Sequence, residues 1–308
     1  MKTERPLLAF AAVAVVCIVW GTTYVALRFG VAQFPAFLFS AIRLLVAGGL
    51  LVGFLLTFGK LKFPDWSVIR VQALAGFFMF AMGNGLVGWA EINVSSGLAA
   101  IISSMIPIWV ILLNMRFNEE ERPNFPIVVG LIIGMSGIVM IFGQHVQEFS
   151  NPAYQFGIIA MFVANLSWAA GSVWIKKKNQ HTNLFLNAGI QMLFGGLFLV
   201  PTSLLFDDFS NLTFSAPIAY TLLYLIFIGS IFTYICFSYA LKKLPVTIVS
   251  LYAYINPLVA VFLGWLLLDE KFSVRILIAM LITVAGVYLV NRGYQVSKEW
   301  RAQLAEKE

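Results

Sequence analysis

Arg43 is the residue in this chain best suited to hold a charged solute, because it stands alone in a long apolar run. A charge at the centre of a helix in lipid costs roughly 2.5–3.5 kcal/mol on the insertion scale, so such a residue is a functional candidate by default. Its planar fork suits bidentate contact with a carboxylate. It also suits bonding to helix ends or snorkelling to an interface, and the sequence leaves both readings open. A second candidate surface comes from spacing. Cys17, Trp20 and Tyr24 are three and four residues apart and so share one helical face. Asn165, Trp168 and Ser172 repeat those spacings. Aromatic faces with a few polar groups suit an amphipathic organic solute; helix packing or interfacial anchoring is the alternative. Asn84, Gln191, Tyr234, Tyr252 and Asn256 also interrupt apolar runs and need hydrogen-bond partners away from water. A wet cavity supplies such partners, and so does bonding between helices.

Two prolines and three acids complete the inventory. Pro107 and Pro257 fall in mid-run and lack an N–H, so the carbonyls of Ser103 and Ala253 are expected to lose their helical partners. Both prolines are hinge candidates, although proline in an apolar helix also serves packing alone. Glu91, Glu120 and Glu270 stand at ends of runs and are gate candidates or solvated helix ends. This set serves binding rather than bond-making. The only histidines, His145 and His181, fall in predicted links, and no paired acids lie within a run. No G-x-x-x-x-G-K-[ST] loop is present, which removes a nucleotide-driven pump. Cys17 and Cys236 lie in apolar runs and suggest neither a disulfide framework nor a metal site. No metal and no cofactor are expected.

The elements that must position these residues follow from composition. Of 308 residues, 60 % are hydrophobic and 11 % charged, against roughly 45–50 % and 25 % in a soluble domain. Lipid is the solvent that accommodates this excess. The net charge of +6 is read as loop charge that sets orientation, not as a nucleic-acid footprint. A spanning helix needs about 20 mostly apolar residues. Ten runs qualify, near 7–29, 35–58, 70–90, 94–116, 125–143, 155–175, 184–206, 216–240, 246–268 and 273–292. The first is too long for a signal-peptide core of about 7–15 residues. The expected fold class is therefore an all-α integral membrane protein of ten transmembrane helices. Most of the 20 Lys and Arg residues fall on the side of the N-terminus, while Arg28, Lys271 and Arg275 fall on the other. That bias predicts both termini in the cytoplasm.

The sequence also repeats itself. Ala90 pairs with Ala240, Asn84 with Tyr234, Pro107 with Pro257 and Glu120 with Glu270 at one constant separation. Trp20 pairs with Trp168, Arg43 with Gln191 and Gly48 with Gly196 at a slightly shorter one. The expected domains are a first repeat at 1–145, a second at 153–292 and a cytoplasmic tail at 293–308. Five spans per repeat means that the second enters the membrane from the opposite side. Such inverted repeats are common in secondary transporters, with the binding site near the midplane between the halves.

At these residues the chain resembles the EamA family of the drug/metabolite transporter superfamily. The most specific segments are Trp20-Gly21, Arg43-Leu44, Tyr239 to Pro245, Asn256-Pro257-Leu258 and Gly264-Trp265 through Asp269-Glu270. The resemblance implies two inverted five-helix repeats around a central cavity. It also implies transport of small metabolites in a bacterial inner membrane, often export of amino acids or related compounds. Many relatives carry an acid before the span-9 proline, where this chain has Asn256. With no carboxylate in mid-span, a facilitator or exchanger fits at least as well as a carrier with a buried acidic proton site. The expected partners are a small-molecule substrate and membrane lipids, with no nucleic acid; oligomeric state is open. An intramembrane enzyme acting on a lipid-like substrate and a non-catalytic scaffold are the alternatives. Neither accounts for the inverted repeat.

Overall fold

Most breaks between the described helices fall where the sequence places Pro, Asn or Asp, and no strand occurs among the described residues. The structure, a computed structural model, describes residues 6–59, 61–94, 96–117, 123–142, 151–178, 182–210, 212–268 and 273–305. The helices are α1 (Pro6–Val31), α2 (Ala36–Thr57), α3 (Trp66–Ala90), α4 (Ser96–Ser103), α5 (Ile106–Phe117) and α6 (Phe125–Phe142). They continue with α7 (Pro152–Lys178), α8 (Leu184–Phe206), α9 (Ala216–Lys243), α10 (Val246–Val249), α11 (Tyr252–Leu268) and α12 (Val274–Ala305). Six of them, α1, α2, α3, α7, α8 and α9, are long and apolar enough to cross a membrane, and shorter apolar helices accompany them.

The molecule is apolar outside and polar inside. Phe54 is 60 % exposed, Leu204 72 % and Tyr220 72 %, whereas Ser40, Gln72, Asn114, Asn165, Gln191 and Asn256 are buried. Water would reject that arrangement; lipid favours it, because polar groups must then find partners within the protein.

Two expected spans are not continuous. The run at 94–116 divides into α4 and α5 at Ser104 and Met105. Pro107 has no N–H to continue the ladder, and it sits instead in the first turn of α5, where that loss costs nothing. Pro107 thus directly follows a helix break instead of standing in mid-helix, where the sequence places it. The run at 246–268 divides at Ser250 and Leu251, and Pro257 lies inside α11. Pro257 therefore does not mark the break in its own run. The turns close with tight bonds, Met105 N to Ile102 O at 3.1 Å and Ala253 N to Ser250 O at 3.1 Å.

Two helices contain wide, π-helical stretches, Phe77–Gly85 in α3 and Leu225–Phe232 in α9. Such stretches leave carbonyls open to side chains of neighbouring helices and concentrate at functional sites. Ser167 Oγ donates to Phe78 O at 2.8 Å, and Trp20 Nε1 donates to Gly229 O at 3.0 Å. Thus α7 is tied to α3, and α1 to α9.

Glycine permits the closest helix pairs, α2 with α8 and α6 with α12. A Cβ on Gly48 would lie 2.5 Å from Leu193 N, and one on Gly286 would lie 2.6 Å from Gly130 O. Small residues at such crossings bring backbones together in lipid. Around these pairs, α1 packs on α9 and α11, while α7 packs on α3 and α5. The ends of α2 and α8 are also joined. Pro35 gives α2 no side-chain cap, and Asp207, just past α8, accepts from Phe37 N at 3.2 Å and Leu38 N at 2.8 Å.

Candidate functional site

A small cavity of about 80 Å³ lies between the helices. Trp20 and Tyr24 reach it from α1, Arg43 from α2 and Asn84 from the π-helical part of α3. Asn165 and Trp168 enter from α7, Tyr234 from α9, and Tyr252 and Asn256 from α11. Sequence reasoning missed Thr23, Phe80 and Ser230, which also line it. Thr23 shares the helical face of Trp20, a legible signal. Phe80 and Ser230 are brought there by the π-helical stretches, which have no signature in the sequence.

The aromatic wall is continuous. Trp20 meets Trp168 at 5.3 Å and Tyr252 at 4.9 Å edge to face, and lies tilted against Phe237 at 5.2 Å between ring centroids. Tyr234 stacks on Phe237 at 5.6 Å. Each such pair contributes about 0.5–1.5 kcal/mol beyond area burial, so the wall is stiff.

The polar groups are partly held and partly open. The guanidinium of Arg43 donates to Asn84 Oδ1, while its Nε has no partner. Asn165 donates to Ile102 O at 3.0 Å, a carbonyl that also accepts from Met105 N at the break before Pro107. The amide of Asn256 faces the carbonyls of Cys17 and Tyr252, which makes its nitrogen the donor there, at 2.8 and 3.1 Å. With these bonds in place, the cavity offers a solute one positive charge, several amide and hydroxyl groups and broad aromatic faces. Among the described residues no group of His, Cys, Asp and Glu could hold a metal ion.

Comparison with known proteins decides what kind of recognition this is. The EamA-like transporter family matches the chain twice, at residues 7–143 and 155–292. The chain belongs to that family. The EamA-family relatives include the uncharacterized inner membrane transporter YedA of Escherichia coli K12, 32 % identical over 95 % of this chain and 94 % of that one. The uncharacterized transporter YoaV of Bacillus subtilis is 26 % identical over 89 % of this chain and 93 % of its own length. A solved crystal structure shares the fold, with a TM-score of 0.73 at 19 % identity over 92 % of this chain and 96 % of the other. This EamA protein is accordingly a membrane transporter with a small-molecule substrate.

Four expectations about its site need correction or limits. Ser172 does not reach the central cavity, because its hydroxyl turns back to Trp168 O at 2.9 Å. Gln191 also lies outside it, bonded to Gln72 and Tyr234. Glu91 is not a solvated helix end: it is 0 % exposed, and neither carboxylate oxygen has a hydrogen-bond partner. Arg28 and Arg43 are the positive charges that act on it, so Arg43 is not the only buried ionisable group in this EamA fold. The helices around it bury Glu91 where sequence distance along α3 suggested the outer surface. Glu120 and Glu270 lie outside the described residues.

Proposed function

We propose that this protein exports amino acids or related small metabolites across a bacterial inner membrane by alternating access at the central cavity. The observation that carries this reading is the cavity's lining: Trp20, Arg43 and Asn84 come from residues 1–145, and Trp168, Tyr234 and Asn256 from 153–292. A site between two repeats is what rocking of one against the other requires. The packing supports a five-plus-five inverted arrangement, because α2 packs on α8 and α6 on α12, each with its own sequence mate. The remaining pairs exchange in the same way, α1 on α9 and α11 against α7 on α3 and α5. The paired π-helical stretches add to this. In this reading Trp20, Tyr24, Arg43, Asn84, Asn165, Trp168, Tyr234, Tyr252 and Asn256 contact the substrate, and both termini face the cytoplasm.

A second reading concerns coupling. Glu91 supplies a buried carboxyl group on which the charges of Arg28 and Arg43 act. That favours a proton-linked carrier over a simple facilitator. The test of transport is a metabolite export screen, comparing cells that overexpress the wild type with cells carrying Trp20→Ala. Selective accumulation of a metabolite outside the wild-type cells is expected. Equal export by both would remove the central cavity as the site. With the exported metabolite in hand, the fluorescence of Trp20 and Trp168 should change on saturation; an unchanged signal would also count against it.

A further inference from the structure

A second cavity, of about 100 Å³, lies between the ends of α3, α7, α8 and α9. Lys176, Lys178 and Lys242 line it together with Gln72, Asn187 and Gln191, and none of its lining residues is acidic. Lys176 is committed to the fold, donating to Leu241 O and Leu244 O at 2.8 Å each. Lys178 lies over the Trp174 ring at 4.9 Å, and it and Lys242 are exposed. A concave site with exposed ammonium groups and amide donors recognises an anionic oxygen group.

One buried layer separates this cavity from the central one. Tyr234, which lines the central cavity, donates to Gln191, and Gln191 donates to Gln72; both glutamines line the basic cavity. All three are at most 2 % exposed. The repeat gives this layer a meaning. The sequence mates of Gln191 and Tyr234 are Arg43 and Asn84, and those two also share a hydrogen bond. The same bond between equivalent helices therefore faces an open cavity in one half and closes a barrier in the other.

We propose that the basic cavity is a vestibule of the transport pathway for a solute bearing a carboxylate or phosphate, and that Tyr234–Gln191–Gln72 is its closed gate. The proposal rests on the transport reading and deepens it, by naming an anionic substrate class and the contact that breaks when the opposite side opens. In that other state Arg43–Asn84 forms the barrier.

The gate is tested without a transport assay, so its failure and that of the transport reading are separable. In a Cys17→Ala, Cys236→Ala background, a cysteine placed by Ser230→Cys reports on the central cavity. An impermeant maleimide is applied to membrane vesicles from the side that carries Lys242. Tyr234→Phe removes one hydroxyl and keeps the packing; Gln191→Ala removes the middle of the layer. Labelling should rise several-fold in both variants. Unchanged labelling in folded Tyr234→Phe would overturn the gate. The vestibule is tested by titrating the full chain in phosphatidylcholine nanodiscs with succinate or inorganic phosphate, following Trp174 as the signal lost in Trp174→Phe. A saturable response weakened at least tenfold by Lys178→Gln with Lys242→Gln is expected. No response, or one indifferent to the lysines, would overturn it. So would a response abolished by phosphatidylglycerol, which would assign the site to a lipid headgroup.

Discussion

Replacing Arg43 by glutamine separates the two roles open to it, and the structure sets the size of each effect. Arg43 is 5 % exposed, one nitrogen serves Asn84, and Nε faces no acceptor. If a substrate carboxylate occupies that open side, the lost charged hydrogen bond is worth about 1.5–3 kcal/mol. At about 1.4 kcal/mol per decade, affinity should fall roughly 10- to 150-fold. Asn84→Ala leaves the charge but removes what aims it, so its effect on affinity should be smaller. The two substitutions should be less than additive, because they act on one contact. The assay is substrate affinity in proteoliposomes for both single variants and the double variant, with melting in detergent as the control. An unchanged substrate affinity in Arg43→Gln would refute the binding role. A collapse in melting temperature with loss of folded protein would instead assign Arg43 to structure.

Three further outcomes follow from neighbouring features. Glu91→Gln should abolish the dependence of transport on a pH gradient while substrate binding persists; gradient dependence that survives would remove Glu91 from coupling. Asp207→Ala should lower stability by about 1–2 kcal/mol, the usual cost of a lost helix cap, read as a fall in melting temperature. Asp208→Asn, whose carboxylate accepts only from Ser210 among the described bonds, is the control and should melt like the wild type. Gly286→Leu should destabilise by about 1–3 kcal/mol through overpacking against Gly130 and Gly134, whereas Gly49→Ala, with open space around it, should not; equal melting of the two variants would contradict the close-packing assignment.

Long-range order was more legible in the sequence than local irregularity. Runs of apolar residues located most of the described helices, because lipid imposes length and composition together, but two runs divide, and α12 continues to Ala305 through the stretch expected to be a tail. The face shared by Trp20 and Tyr24, and its mate bearing Asn165 and Trp168, reached the same cavity because helical spacing fixes direction. The misplacements have local causes. Ser172 had the right spacing, but its hydroxyl satisfied itself on its own helix. The break near Pro257 moved upstream to Ser250 because helix interruption in lipid depends on neighbours that re-satisfy the backbone. Glu91 was misjudged because burial at a helix end is decided by other helices, Arg28 and Arg43 among them, and one-dimensional spacing carries no record of them.

The two halves supply frame and chemistry unequally. What shapes the cavity is shared: Trp20 and Trp168, the two π-helical stretches and the glycine crossings recur in both. What is charged is not. Arg43 has Gln191 as its mate, and Glu91 has Leu241. A device with identical halves would present the same surface to a solute from either side and have no preferred direction of charge. In the proposed cycle, opening at one end exposes a guanidinium held by Asn84, and opening at the other frees the Gln191 amide from Tyr234. If the proposed cycle and anionic substrate hold, an anionic group is held differently in the two states, by up to the 1.5–3 kcal/mol of a charged hydrogen bond. That difference is also why a pH response should require Glu91. Protonating a carboxylate beside Arg43 changes the field in the one state where Arg43 meets the solute, and by linkage solute binding there must alter proton binding in return.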